Sequence, residues 1–376
     1  MNTKNLKFDI EKRIGLARVG VIHTPHGDIK TPAFVGAATR ATVKALTMSE
    51  MNALGSQAIL ANTYHLVLAP GTELIASAGG LAEFSSWHKP TFTDSGGFQI
   101  FSLPEVKITE EGVKFRSYLS GDKFTMTPES SMQAQWQIGA DIHMAFDHLA
   151  KSESHADMLK AMERTHRWLE RCVSEHQKLS DEAGKAGEPF QYLYAVVQGG
   201  TFLDLRAESA RFAASQSVDG FGIGGVFTAD GMAEMLQTVN AILPENKPRH
   251  LLGMGQEPID IFDGAENGCD TFDCVGPTRM ARNGSLYTLD GRINIKNAKY
   301  KDDFTPIMDD CDCECCQNYT KAYLHHLFKT DEITAKVLAS IHNERFVVRL
   351  TDKIRETLLS GDFQAYRDEF LKRYYH

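Results

Sequence analysis

The feature that most constrains this chain is a rhythm of short apolar runs that finish on a polar residue or a glycine, each followed by a longer amphipathic stretch. The runs fall at 58–62, 91–94, 142–147, 193–198, 221–225, 250–253 and 271–273. Both faces of each run are apolar, the pattern of strands in a parallel sheet that is covered on both sides. The stretches at 128–139, 153–179, 203–216, 229–242 and 258–267 read as helices. Strand then helix, repeated this often, gives an α/β protein, and two architectures accommodate it: a closed (β/α)8 barrel or a doubly wound open sheet. The barrel is the better fit. Seven candidate units follow one another without a linker, and Asn62, Asp94, Asp147, Gln198 and Asp273 all stand where runs finish. In a barrel those ends meet on one face, where barrel enzymes keep their chemistry.

Residues 15–23 and 28–35 are expected to form a hairpin at the N-terminal end of the barrel. Residues 301–343 break the rhythm with acidic residues and a cysteine cluster, and read as an inserted metal-binding subdomain. The barrel is therefore expected over 1–300, and a helical segment packing back on it over 344–376. Residues 179–189, rich in Gly, Lys and Glu, are expected as a mobile loop. No apolar run approaches the ~18 residues that span a bilayer, which argues against a membrane role. The polar segment 1–10 lacks the apolar core of a secretory signal, so the expected location is the cytoplasm. Forty Lys and Arg against 49 Asp and Glu leave a formal net charge of -9, the wrong sign for binding nucleic acid by bulk attraction. Any RNA contact must be a local patch.

Four of the seven cysteines, Cys311, Cys313, Cys315 and Cys316, fall within six residues. In a reducing compartment such a cluster points to metal rather than to disulfides. Cys311, Cys313 and Cys316 supply three soft ligands on a tight loop, and one histidine completes a closed tetrahedral zinc site of the structural kind. His342 leads as the fourth ligand, with Cys315, His325 and His326 as competitors.

Asp94-Ser95-Gly96-Gly97-Phe98-Gln99 follows a run, and its glycines let the backbone turn sharply and bring N–H groups close to a ligand. The string also resembles the nucleophile loop of trypsin-like serine proteases, which makes a serine hydrolase the remote alternative. That fold is all-β, whereas this chain alternates strand and helix. Gly220, Gly222 and Gly225 spell a dinucleotide fingerprint, but they lie within a run instead of opening a helix. Asp273-Cys274-Val275-Gly276-Pro277-Thr278-Arg279 places a second carboxylate at the end of a run, with Arg279 and Arg282 downstream. Asp94 and Asp273 are expected to face one pocket from neighbouring strand tips, the pair of carboxylates that retaining glycosyl transfer needs.

At these residues the sequence resembles the tRNA-guanine transglycosylase family, from about residue 15 to the C-terminus. The supporting strings are Thr31-Pro32-Ala33-Phe34, Asn62-Thr63-Tyr64-His65-Leu66, Asp94 to Gln99, Val197-Gln198-Gly199-Gly200, Asp273-Cys274-Val275 with Pro277-Thr278-Arg279, and Cys311-Asp312-Cys313 with Cys316. The resemblance implies a (β/α)8 barrel with an inserted zinc subdomain, His342 as the fourth zinc ligand, and a homodimer with Tyr319 and Tyr323 as contacts. It implies an enzyme that exchanges the guanine at anticodon position 34 of tRNA for a 7-deazaguanine base, in queuosine formation. Asp273 is then the nucleophile of a covalent ribosyl-aspartate intermediate, and Asp94 the general acid and base.

By the same resemblance, Asp94, Ser95, Gly96, Gly97, Asp147, Gln198 and the backbone at Gly225 hold the base, with Phe98 and Leu252 stacking on its faces. The implied RNA contacts are Met254, Gly255, Gln256, Glu257, Pro258, Ile259 and Asp260, then Thr278, Arg279, Met280, Ala281 and Arg282. The chain departs from bacterial-type members in two places. They follow the aspartate matching Asp147 with Glu-Cys, where His148 and Leu149 stand here; and they carry Leu-Ser/Ala-Val-Gly-Glu where Val226 to Asp230 stand here. Both changes fall where the side arm of the base is expected, so the aminomethyl base preQ1 and the bulkier queuine both stay open. Phe98 and Leu252 replace a tyrosine and a methionine, which preserves stacking. A non-catalytic RNA-binding paralogue and a relative that exchanges bases in DNA are the alternatives.

Overall fold

Eight short segments, nearly all of them buried at every residue, form the centre of the molecule: β1 (Ala33–Ala37), β2 (Ala58–Ala61), β3 (Thr91–Thr93), β4 (Ile142–Met144), β5 (Tyr192–Val197), β6 (Gly220–Ile223), β7 (Arg249–Leu251) and β8 (Thr271–Cys274). In this computed structural model, which describes residues 5–103, 105–150, 152, 154–224 and 229–376, they pair in parallel in the order β1 to β8. Pairing of β8 with β1, Thr271 opposite Ala33 through Cys274 opposite Gly36, closes the barrel. Alternate strand residues point inward, and Val35, Leu60, Phe92, Met144, Tyr194 and Val196 belong to one buried cluster that fills the interior. Their neighbours face out: Phe34, Leu193, Val197, Phe221, Leu251 and Phe272 share a core with Trp168, Leu236 and Ile261 of the surrounding helices. A (β/α)8 barrel is thus the fold.

The eighth strand was hidden in the expected hairpin. Residues 28–35 are not one strand but Gly27–Thr31 and, beyond Pro32, the first barrel strand β1. Proline has no N–H to donate to a ladder, and the chain changes sheets there. Gly27–Thr31 joins Lys7–Ile14 and Ala17–Thr24 in a three-stranded antiparallel sheet. This sheet covers the N-terminal mouth of the barrel: Arg18 forms a buried pair with Asp270 just before β8, His26 meets Asp141 just before β4, and the Leu6 N–H donates to Asp219 just before β6.

The expected mobile loop at 179–189 is largely helical instead. Helix His155–Ala186 runs through it and stops only at Gly187, whose φ of 74° is the left-handed conformation that ends many helices. Ser180 and Ala183 are buried, and a Cβ on Gly184 would touch Phe190, so this last part of the helix packs on protein. The expected start at Glu153 lies outside the described residues; Ser154 caps the helix through Asp157 N–H.

Two further elements lie outside the strand-then-helix rhythm. Lys107–Ile108, Val113–Arg116 and Lys123–Met126 form a small antiparallel sheet between β3 and helix Pro128–Ile138, and Ser285–Thr288 pairs with Gly291–Asn294 after β8. Helix Ile333–Ser360 carries His342 and continues without a break past residue 343, so the expected subdomain and the C-terminal segment share one element. It grips the β8 end of the barrel through Asn343, whose side-chain amide donates to Pro277 O and Ser285 O and accepts from Tyr287 N–H. Among the described residues no helix is long and apolar enough to cross a membrane.

Candidate active site and metal centre

Because every strand is parallel, all eight C-terminal ends lie on one rim, and the polar residues at those ends enclose a cavity of about 170 Å3. Asp94, Ser95, Gly96, Phe98, Asp147, Gln198, Leu252 and Asp273 line it, together with Leu60, Gln99, Met144, Leu149, Val196 and Gly224. Asp94 follows β3 and Asp273 belongs to β8, with β1 and β2 between them. The two carboxylates therefore meet across the mouth, not from adjacent tips.

Asp94 is held on several sides. Asn62 caps helix Thr63–Leu68, and this turn aims the Thr63 N–H at Asp94 Oδ1, 3.0 Å away. Gly96 N–H donates to the same oxygen at 3.0 Å, while the Asn62 amide and, at 3.3 Å, Gln99 Nε2 donate to Oδ2. Gly96 turns the chain with φ of 80°, open to glycine without strain. Burial raises the Asp94 carboxyl to about 7, and the charge of Asp273 adds to the rise, against the opposing pull of the Thr63 and Gly96 N–H groups and Asn62. A carboxyl poised there can donate a proton and take one back near neutrality.

Asp273 is oriented differently. Gly253 N–H and His250 Nε2 both reach Oδ1, at 2.9 and 3.1 Å. His250 was not marked by the sequence; it sits on β7 opposite Thr271 of β8, and only this pairing reveals it.

Asp147 lies deeper, with Ser95 Oγ donating to Oδ1 at 2.9 Å and Gln198 Nε2 to Oδ2 at 2.6 Å. Burial raises its carboxyl, and these two donors work against the rise. Among the described residues the Ser95 hydroxyl meets a carboxylate and no imidazole, so the serine-hydrolase reading lacks the histidine of its triad. Gly97 lets the chain pass close by: a Cβ there would lie 3.0 Å from Asp147 O and 3.2 Å from Oδ1. Phe98 stands exposed at the entrance and Leu252 lines the same cavity.

Leu149 lines the cavity, but His148 does not. Its ring packs against Phe101 and Trp168, with Arg164 Nη1 3.3 Å from Nδ1; burial and the Arg164 charge lower it to about 4. Gly225 and Val226 to Thr228 lie outside the described residues. Gly220 and Gly222 are inside β6, not at the start of a helix.

The sulfurs of Cys311, Cys313 and Cys316 and Nδ1 of His342 lie within 4.8 Å of one another, all buried. Nδ1 is 3.9, 3.8 and 3.3 Å from the three sulfurs. His342 Nε2 donates to Tyr287 O at 2.7 Å, which leaves the Nδ1 lone pair facing the thiols. This donor set can hold a metal ion. His325 is engaged with Ile295 O at 2.8 Å, away from the cluster, and Cys315 is buried outside it.

A model of the queuine tRNA-ribosyltransferase family matches residues 13–376. The chain belongs to this family. A queuine tRNA-ribosyltransferase of Herpetosiphon aurantiacus is 48% identical over 375 residues, covering 98% of this chain and 93% of that protein. One from Geobacillus thermodenitrificans is 44% identical over 379 residues, covering 99% and 97%. As expected of a ribosyltransferase, the chain is built as an enzyme, with titratable groups converging on one enclosed cavity.

The family's expected RNA-contact segments lie beside the β7 and β8 ends. Arg279 and Gln256 are exposed, and Met254, Glu257, Ile259, Met280 and Arg282 half-buried. Gly255, Pro258, Asp260, Thr278 and Ala281 are buried, and shape the surface from beneath. Asp260, for example, accepts the Glu257 N–H at 3.1 Å as a helix cap.

Proposed function

We propose that this chain is a tRNA-guanine transglycosylase that exchanges guanine 34 for a 7-deazaguanine base by double displacement. The observation that carries the reading is that Asp94 and Asp273 open into one cavity whose inner wall bears Asp147 and Gln198. In the first step Asp273 attacks C1′ of the flipped-out nucleoside, the glycosidic bond breaks with its electron pair leaving on guanine, and Asp94 supplies a proton to the departing base. In the second, the ring nitrogen of the incoming base attacks C1′, gives its proton to Asp94, and the ester electrons return to Asp273. Configuration at C1′ is retained, and the paired carboxylates also favour the oxocarbenium character of the transition state.

Asp147 accepts the N–H edge of the base, with Gln198, Ser95, Gly96 and Gly97 completing the polar wall. Phe98 and Leu252 stack on its faces, and Gly225 is assigned by resemblance alone. Arg279 and Arg282 hold anticodon phosphates on an otherwise acidic protein. Cys311, Cys313, Cys316 and His342 bind structural zinc, since three thiolates and one imidazole leave no open position. Tyr319 and Tyr323, stacked with ring centroids 5.4 Å apart, belong to a homodimer contact. The enzyme works in the cytoplasm, where its tRNA is. The incoming base is a 7-deazaguanine, preQ1 or queuine.

The test offers guanine-34 tRNA with labelled guanine, preQ1 or queuine, and a matched DNA stem-loop beside it. Base incorporation into tRNA and a denaturation-resistant protein–tRNA adduct are expected, both lost in Asp273→Ala. Binding without exchange would mean a non-catalytic paralogue, and exchange confined to DNA would overturn the substrate.

A further inference from the structure

The Asp273 carboxylate is held by one oxygen. Among the described residues, both of its donors, His250 Nε2 at 3.1 Å and Gly253 N–H at 2.9 Å, converge on Oδ1, and Oδ2 receives none. His250 is fully buried, stacked on Phe92 with centroids 5.3 Å apart, and its Nδ1 lies 2.8 Å from the Thr271 hydroxyl. A carboxylate oxygen only accepts, so Nε2 carries the hydrogen, and in the neutral ring Nδ1 takes that of Thr271. The result is a directed chain, Thr271 hydroxyl to imidazole to carboxylate, built on two paired strands.

From this geometry we infer that His250 is a positioning residue that sets the balance between free and ribosylated enzyme. The inference rests on Asp273 being the nucleophile. With Oδ1 pinned, Oδ2 is the oxygen left to bond C1′, and Oδ1 becomes the carbonyl oxygen of the resulting ester. The two donors touch Oδ1 in both states, but they bond a carboxylate more strongly than a neutral ester carbonyl. They therefore make Asp273 a better leaving group in the second displacement and keep the covalent species from becoming a trap. Gly253 supplies its donor from the backbone, fixed by the fold; His250 supplies the one that a side chain can tune.

The experiment equilibrates enzyme with guanine-34 tRNA and a fixed concentration of free guanine, quenches in denaturant, and measures the ratio of covalent to free enzyme on a gel. His250→Leu keeps bulk without the donor and is expected to raise that ratio about fivefold, the difference between a charged and a neutral acceptor. His250→Gln restores an amide N–H near the Nε2 position and returns the ratio to within about twofold of the original. Thr271→Val removes only the hydroxyl that orients the imidazole, shifts the ratio the same way by less, and decides the matter if His250→Leu does not fold. A purely structural role would slow turnover without moving this equilibrium. An unchanged ratio in Thr271→Val and in folded His250→Leu, or a His250→Gln enzyme that behaves like His250→Leu, would overturn the inference. Absence of any adduct with the unaltered enzyme would instead overturn Asp273 as nucleophile, and this inference with it.

Discussion

Asp273 stands across the cavity from Asp94, and its charge adds to the burial that lifts the Asp94 carboxyl to about 7. A raised acid is disfavoured as an anion in the folded protein. Its contribution to stability is therefore best at low pH and is lost as pH climbs from the ordinary carboxyl value of 3.8 through about 7. The catalytic sign is the same for guanine departure, which needs the protonated form. The rate of adduct formation, followed by rapid quench, is expected to fall as pH rises past about 7. Asp94→Asn should lose that inflection together with roughly 10²–10⁴ of the rate. A wild-type profile flat between pH 6 and 8 would refute the assignment.

Gly97 passes Asp147 so closely that any Cβ must push the carboxylate or the chain aside. Gly97→Ala is expected to cost about 1–3 kcal/mol of local packing, most of it where the base binds. The KM for the incoming base should rise about tenfold, with a smaller change in the KM for tRNA. An unaltered base KM would show that the wall is not read by substrate.

How much of this was open to sequence reading depends on whether the information was local. Asp94, Asp147, Gln198 and Asp273 could be found because each ends an apolar run, and a closed parallel barrel sends all such ends to one rim. β1 was concealed because its apolar residues continue a neighbouring strand across Pro32, so pattern alone gives no boundary. His250 was missed because its meaning depends on register: it faces Thr271 only once β7 and β8 pair. The stretch 179–189 is helical as far as Ala186 although its polar composition suits a loop, because the exposed face of a long helix requires the same residues. His148 looked like part of the pocket by position, but its side chain turns to Trp168.

Arg282 lies beside Arg279, and its Nη1 is buried without a hydrogen-bond partner among the described residues. Burial and the like charge of exposed Arg279 both disfavour the Arg282 cation, and a phosphate brought to the pair would offset them. Arg282→Gln is expected to raise the KM for tRNA while leaving that for the base unchanged, and to lower the slope of log affinity against log salt by about 1. Equal salt slopes for the two proteins would remove Arg282 from the RNA path.

The Cys311, Cys313, Cys316 and His342 cluster joins a loop to the helix that also holds the β8 end through Asn343. Cys313→Ser is expected to lose bound zinc, measured by elemental analysis of the purified protein. It should melt at lower temperature, by the roughly several kcal/mol that metal-linked folding supplies. Full zinc content in this variant would place the metal elsewhere.

At the opposite end of the barrel, Arg18 and Asp270 bind through two parallel contacts, Nε to Oδ1 at 2.8 Å and Nη2 to Oδ2 at 2.5 Å, with side chains 1% and 0% exposed. Asp270 also accepts the Arg249 N–H at 2.6 Å, so one carboxylate links the covering sheet to the starts of β7 and β8. Removing a single partner leaves a buried guanidinium without its counter-charge, which costs more than the pair itself contributes. Asp270→Ala is expected to lower stability by about 3–5 kcal/mol in denaturant unfolding, and replacing Arg18 by Met in the same chain to recover much of that loss. Exchange per folded molecule should be unaffected in both, because the pair lies at the far mouth from Asp94 and Asp273. If the single and double variants were equally unstable, the cost would come from lost packing, and the charge pair would not be what fastens the sheet to the barrel.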